Sequence, residues 1–328
     1  MTDFRHRIER RRILAALALL PLGSAPLAWA QDYPSKPVRF IVSFPPGSGA
    51  DTLARLYARR LQDMTKQPFI VENRPGANSF IAAQAVATAA PDGTTLFFAS
   101  NSPVVVNAVL FKNLPYQPMN DFAPVARTSR GTNLLLVPQA SPYKTVADLV
   151  EAAKKAPKKL NYAAGSASYQ IATEEFAEAV GADFTHVPYK GAAPAIQDTA
   201  AGVTDFTIAD ISASLPLVQG GRLRALAVTS DRRHAALPNV PTAIESGATG
   251  FEYYNWTAVF APAKTPQAVV DKLSQRIGQI TGEPETLAYL AKLGGETFPA
   301  DAKELRRYQI TQIEQWKRVA QRAGIQPE

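Results

Sequence analysis

The chain has 328 residues, 46 % of them hydrophobic and 19 % charged, with a formal net charge of +7. That length can bury a sizeable core and suggests about two domains. The absence of cysteine excludes disulfides, thiolate metal ligands, a cysteine nucleophile and a lipoprotein lipidation site, and the mild, dispersed positive charge gives no reason to expect nucleic acid as a partner.

Residues 1–30 have the layout of a cleaved export signal. Arg5, Arg7, Arg10, Arg11 and Arg12 form a basic start, and Ile13 to Ala28 is uncharged and mostly apolar. Ala28-Trp29-Ala30 is an A-x-A cleavage site, which makes Gln31 the first mature residue. Pro21 and Gly23 interrupt the apolar run, which falls short of the roughly 20 residues a spanning helix needs. Arg10-Arg11-Arg12-Ile13-Leu14 fits a twin-arginine signal, with an arginine-rich Sec signal as the alternative. Loss of the five arginines, Asp3 and Glu9 lowers the net charge from +7 to +4. An exported chain without cysteine fits a bacterial periplasm.

Val38 to Phe44 is an apolar run broken only by Arg39 and Ser43, as in a largely buried strand. Pro45 and Pro46 stop it, and Gly47-Ser48-Gly49 supplies a sterically open turn. From Asp51 to Met64 the apolar residues recur at helical spacing. A strand, a glycine turn and a helix start make a pocket floor suited to an anion, because the first helical N–H groups lack internal partners. The segment is not a nucleotide loop: Thr52 stands where G-x-G-x-x-G needs glycine.

Phe69–Glu72 predicts a strand, Ser79–Ala90 a helix, and Leu96–Ala99 a strand that ends at Ser100-Asn101-Ser102-Pro103. Ligands of open α/β sheets sit at such carboxyl ends, which marks Asn101 and Ser102. Leu134–Val137 is a further strand and Thr145–Ala156 a helix. Leu160–Ala164 is a strand leading into Gly165-Ser166-Ala167-Ser168-Tyr169-Gln170, with a helix predicted over Ile171–Val180. Ser166, Ala167, Ser168, Tyr169 and Gln170 are the strongest polar group, able to hold a carboxylate or simply to cap the helix. Strands follow at Phe184–Val187, Asp205–Ala209, Leu223–Val228 and Trp256–Phe260, with helices at Ala192–Ala201, Pro266–Ile280, Glu285–Leu293 and Ala302–Ala323. This alternation implies an α/β protein with parallel or mixed sheets, and two strand–turn–helix sites suggest two lobes facing each other.

Other chemistries find little support in the sequence. There is no G-x-S-x-G elbow, so a Ser/His hydrolase would have to assemble Ser166 or Ser48 with His186 through the fold. No His/Asp/Glu cluster has metal-ligand spacing, and no cofactor is expected. Lys190 is either a cation at a cleft edge or an exposed lysine in a turn, and Asp210 either accepts from a ligand or caps the next helix.

Several motifs occur in one order: Tyr33-Pro34-Ser35-Lys36-Pro37, Phe44-Pro45-Pro46-Gly47, Glu72-Asn73-Arg74-Pro75-Gly76-Ala77, Pro91-Asp92-Gly93-Thr94-Thr95-Leu96, Asp121-Phe122-Ala123-Pro124-Val125, His186-Val187-Pro188-Tyr189-Lys190-Gly191, Ala225-Leu226-Ala227-Val228-Thr229-Ser230 and Leu237-Pro238-Asn239-Val240-Pro241-Thr242. Together they resemble the Bug family, the periplasmic substrate-binding receptors of tripartite tricarboxylate transporters, over nearly all of the mature chain. The resemblance implies a type II periplasmic-binding-protein fold: two α/β lobes, a hinge and a ligand in the interlobe cleft. It also implies a small carboxylate ligand (a di- or tricarboxylate, amino acid or aromatic acid) passed to a membrane permease, with no catalysis. Family contacts map to the loop containing Phe44, Pro46, Gly47, Ser48 and Asp51 and to Ser166–Gln170. Ser48 replaces a usual glycine, Gln170-Ile171 a frequent histidine-leucine, and Asn78-Ser79 a Gly-Gly pair.

The sequence therefore predicts a monomeric receptor with a discontinuous first lobe, residues 33–130 plus 226–328, and a second lobe over 131–225. A secreted Ser/His hydrolase, or a sensor subunit presenting its ligand to a membrane kinase, are the alternatives.

Overall fold

The computed structural model describes residues 33–327, so the predicted signal peptide lies outside the described residues. Strand β1 (Val38–Val42) pairs in parallel with β2 (Phe69–Asn73) and β3 (Thr95–Ser100). Its side chains are almost all buried, as a strand covered on both faces requires. Helix α1 (Gly49–Thr65) connects β1 to β2, and α2 (Phe80–Ala87) precedes β3. The chain then turns helically through Ser102–Val106, a π-type turn, into α3 (Asn107–Leu110).

The largest departure from expectation is β4 (Phe122–Pro138), a 17-residue strand of which only Leu134–Val137 is evident in the sequence. Its first part carries Pro124, Arg127, Arg130 and Gly131, which do not read as a strand. Long-range pairing supplies the ladder instead. β9 (Tyr254–Pro262) and β10 (Gly295–Ala300) flank that part antiparallel, with a register shift absorbing Pro124. Beyond Thr132 the same strand enters a second sheet, antiparallel to β7 (Phe206–Asp210) and β8 (Leu223–Val228). There β5 (Asn161–Ala164) runs parallel to both β7 and β6 (Thr185–Pro188). The strand order is β2-β1-β3-β9-β4-β7-β5-β6, with β8 and β10 attached to β4. The mixed α/β architecture is thus two sheets sharing one strand, each sheet forming a lobe.

Helices α4 (Val146–Lys155), α5 (Ala167–Val180), α6 (Ala192–Ala200) and α7 (Ile211–Gln219) accompany the second sheet. Helices α8 (Gln267–Thr281), α9 (Pro284–Lys292) and α10 (Ala302–Arg322) follow β9, with α8 and α10 packed against β4 and α9 against β10. On α10, Leu305, Gln309, Ile313, Trp316, Val319 and Ala320 form one buried stripe at helical spacing. Burying each large apolar member contributes about 1.5–3 kcal/mol. Gln309 is fully buried, and its amide donates to the Val104 carbonyl at 2.7 Å, tying α10 to the turn after β3. One apolar cluster is continuous across the lobes, from Phe97 and Trp316 to Phe176 and Phe206.

Candidate functional site

The two predicted helix starts are built differently. In the first lobe, Ser48 caps α1, its Oγ accepting from the Asp51 N–H at 3.3 Å. Asp51 is 2 % exposed, and its oxygens face the loop's own donors. They accept from the Gly47 N–H at 2.8 Å, the Asn73 amide at 2.8 Å and Arg55 Nε at 3.1 Å. The same Asn73 amide holds the Phe44 carbonyl at 3.0 Å. Burial alone would raise the Asp51 carboxyl. Hydrogen bonds from Arg55, Gly47 and Asn73 outweigh it and hold the group below the usual carboxylate range. Asp51 is therefore the brace of this loop. Phe44 is half-buried, while Pro46 and Gly47 are exposed. Gly47 takes φ 82°, a left-handed conformation that glycine enters without steric cost.

In the second lobe, Ser166 stands at the N-cap of α5 with extended backbone, yet its hydroxyl makes no capping bond. Plain N-capping, one of two roles open to it in the sequence, is not the one it performs. The helix begins at Ala167, four residues earlier than predicted, so Ser168, Tyr169 and Gln170 lie in its first turn. The Tyr169 and Gln170 N–H groups bond the Ser166 carbonyl at 3.1 Å. The earlier N–H groups, of Ala167 and Ser168, have no intrahelical acceptor and carry the helix's partial positive charge. Gly165 is required by close approach: a Cβ there would lie 2.6 Å from the backbone of Gly191 and Ala192. This contact sets the Pro188–Gly191 turn against the helix start. Lys190, in that turn, is exposed and forms none of the ion pairs among the described residues.

Asn101, Ser102, Ser168, Tyr169 and Asp210 meet in one hydrogen-bonded seam between the lobes. Ser102 Oγ lies 2.6 Å from Ser168 Oγ, and Ser168 also donates to Asn101 Oδ1 at 3.3 Å. Asn101 donates to the Tyr253 hydroxyl at 3.3 Å, which donates to Asn255 Oδ1 at 3.2 Å. Asn255 Nδ2 donates to Asn133 Oδ1 at 2.8 Å and to the Tyr169 hydroxyl at 3.1 Å. Tyr169 in turn donates to Asp210 Oδ2 at 3.0 Å. Burial, and for Tyr169 the neighbouring Asp210 charge, pushes both phenols upward, so both remain protonated donors. Asp210 is the N-cap of α7, accepting from the Ala213 N–H at 2.9 Å, the capping role of the two the sequence left open. The sequence reading missed Asn133, Tyr253 and Asn255, which sit where β4 changes sheets and where β9 begins. The dense polar-aromatic run Tyr253-Tyr254-Asn255-Trp256 is the one local signal that points there. Asn133 is fully buried, and its Nδ2 has no partner.

The Phe44–Asp51 loop makes no hydrogen bond to this seam among the described residues. Nor does His186 join Ser48 or Ser166: it stacks on Tyr162 with ring centroids 5.2 Å apart, and its Nε2 is unpartnered. Open depressions of about 520 and 280 Å³ lie elsewhere, under Met119, Phe122 and Arg306 and beside Gln139, Gly202 and Arg222. Neither is lined by a seam residue.

Two α/β lobes sharing a strand, with a free helix start and small hydroxyls gathered at strand ends, define a solute-binding protein of the type II periplasmic class. The sequence profile described as "Tripartite tricarboxylate transporter family receptor" matches residues 53–325. BugT of Bordetella pertussis is 32 % identical over 318 residues, 95 % of this chain and 98 % of that protein. A protein from the tcbD-tcbE intergenic region of Pseudomonas sp. strain P51 is 34 % identical over 316 residues, 95 % of this chain and 94 % of the relative. Among solved structures, R. palustris Rpa4515 with adipate superposes with TM-score 0.84 at 35 % identity, covering 90 % of this chain and all of that one. MatC (Rpa3494) of Rhodopseudomonas palustris with bound malate gives 0.78 at 29 % identity, covering 88 % of this chain and 99 % of that one. The chain belongs to the tripartite tricarboxylate transporter receptor family, the Bug receptors.

Proposed function

We propose that this protein is a monomeric periplasmic receptor that captures a small carboxylate between its lobes and delivers it to the permease of a tripartite transporter. The observation that carries the reading is the α5 start: free Ala167 and Ser168 N–H groups beside an uncommitted Ser166 hydroxyl, at the interlobe seam. Adipate on Rpa4515 and malate on MatC favour an aliphatic dicarboxylate. We assign Ser166, Ala167 and Ser168 to direct contact, with Phe44 to Ser48 closing from the other lobe. Asn101, Ser102, Tyr169 and Asp210 set the seam, and Asp51 acts through the loop it braces. The lobe division is proposed as 33–130 plus 226–328 against 131–225. Export is proposed to cleave after Ala30.

A thermal-shift screen tests the function. A ligand at 100 times its Kd adds about 2.7 kcal/mol of stability. Adipate, malate, citrate, aspartate and benzoate are the first probes. Shifts from sugars or cations alone, with none from any carboxylate, would reject the receptor reading. Turnover of activated esters that disappears in His186→Ala would establish the hydrolase in its place.

A further inference from the structure

Helices α5 and α10 face each other across the lobes, and that face holds a carboxylate which ligand capture leaves unexplained. Glu175 lies on α5 two turns beyond the helix start. Its Oε1 accepts from the Gln315 amide of α10 at 2.7 Å, and its Oε2 is buried with no partner. No cation bonds it. Arg322 of α10, a cation on the same face, is bonded to Glu178 instead. Facing Glu175 from α5 itself is Glu178, one turn on. From the stretch before β9 come Glu252 and Tyr253, and from α10 come Gln315 and Tyr308. Two of these are acids, one is a neutral amide and two are phenols. Among the described residues, the one cation besides Arg322 that pairs with either of these acids is Arg130, 4.0 Å from Glu252.

A carboxylate with one neutral hydrogen bond, one orphaned oxygen and two acidic neighbours is poorly placed to carry a charge. Leaving a buried oxygen unpaired is tolerable when it bears a proton and costly when it bears a charge. We infer that Glu175 is a proton-binding site built into the interlobe face, protonated while α5 and α10 are seated and ionised when they part. Burial first, then the charges of Glu178 and Glu252, raise its carboxyl to about 7, against an opposing bond from Gln315.

The sign follows from the direction of that shift. Parted lobes return Glu175 to water and to the ordinary carboxyl range near 4, so the seated state binds the extra proton. Seating is therefore favoured at low pH and loses that advantage as pH rises toward 7. This rests on the two-lobe architecture and not on the identity of the ligand, so it can be tested without one.

Hydrogen exchange on the ligand-free protein, corrected for intrinsic rates, reads it directly in peptides covering 167–180 and 302–322. Between pH 6 and pH 8 the seating constant should fall about tenfold, because the linked proton is nearly whole at pH 6 and almost gone by pH 8. Protection in both helices should fall with it. Glu175→Gln, which keeps the volume and can still bond Gln315, should stay protected and pH-independent over the same range. Wild-type protection that does not change with pH, or a pH dependence that persists in Glu175→Gln, overturns the inference. The wild-type series alone decides if the variant fails to fold. A failure here with carboxylate-induced thermal shifts intact would leave the receptor function standing.

Discussion

The clearest test of the proposed carboxylate cradle is Ala167→Pro. Ala167 is the first residue of α5, the position where proline's fixed φ suits the helix and its missing N–H breaks no intrahelical bond. The substitution deletes one donor and little else. Proline at the neighbouring positions would do more. Ser166 has φ −166°, out of reach of a proline ring, and the Ser168 hydroxyl holds Ser102 and Asn101. A hydrogen bond to a charged group contributes about 1.5–3 kcal/mol. Removing one should therefore weaken Kd by about 10- to 150-fold. Lys190 is exposed, so Lys190→Ala removes a solvated charge and should change Kd by less than about threefold. Calorimetric titration of both variants, with the acid giving the largest thermal shift, makes the comparison. Unfolding temperatures within a few degrees of wild type would show that α5 survives. If Ala167→Pro binds normally while Lys190→Ala abolishes binding, the backbone-donor account is wrong.

Three further outcomes follow from named contacts. Gly165→Ala forces a methyl to 2.6 Å from the backbone of Gly191 and Ala192, and should cost at least the 1–3 kcal/mol or so typical of overpacking; urea unfolding within 0.5 kcal/mol or so of wild type would contradict the close approach. Asp51→Ala strips acceptors from the Gly47 N–H and the Asn73 amide and should cost about 1–3 kcal/mol at pH 7. Because the folded carboxyl is held low, its contribution is intact above the ordinary range near 4 and is lost as pH falls below it, so the gap between variant and wild type should shrink at pH 3. An equal gap at both pH values would refute the brace. Ser102→Ala removes one bond across the seam while Ser168 keeps Asn101, so chemical denaturation should register about 0.5–1.5 kcal/mol and no more.

The sequence by itself determined the features that depend on neighbours along the chain. Buried strands such as β1 announce themselves as apolar runs, and α1 shows its periodicity with Ser48 and Asp51 at its start. The ordered Bug motifs carried the fold and the family. Helix starts were legible to within a few residues, since a cap depends on the next three positions. What only the tertiary structure decided are the features made by distant pairs. The first part of β4 is a strand because β9 and β10 pair with it, although its own residues include proline, glycine and two arginines. Asn133 has no local signal, Tyr253 and Asn255 only a dense polar-aromatic run, and the three join into one polar seam only where β4 changes sheets. Asp51 has the same local signal as a ligand-binding acid; Asn73, 22 residues away, helps turn it into a brace. Glu175 reads as one of two adjacent acids on a solvated helix face. The packing of α10 over it, 140 residues later, puts its carboxyl among groups that cannot stabilise a charge. Local pattern fixes which segments form. Which polar groups are left without water depends on what long-range packing lays over them.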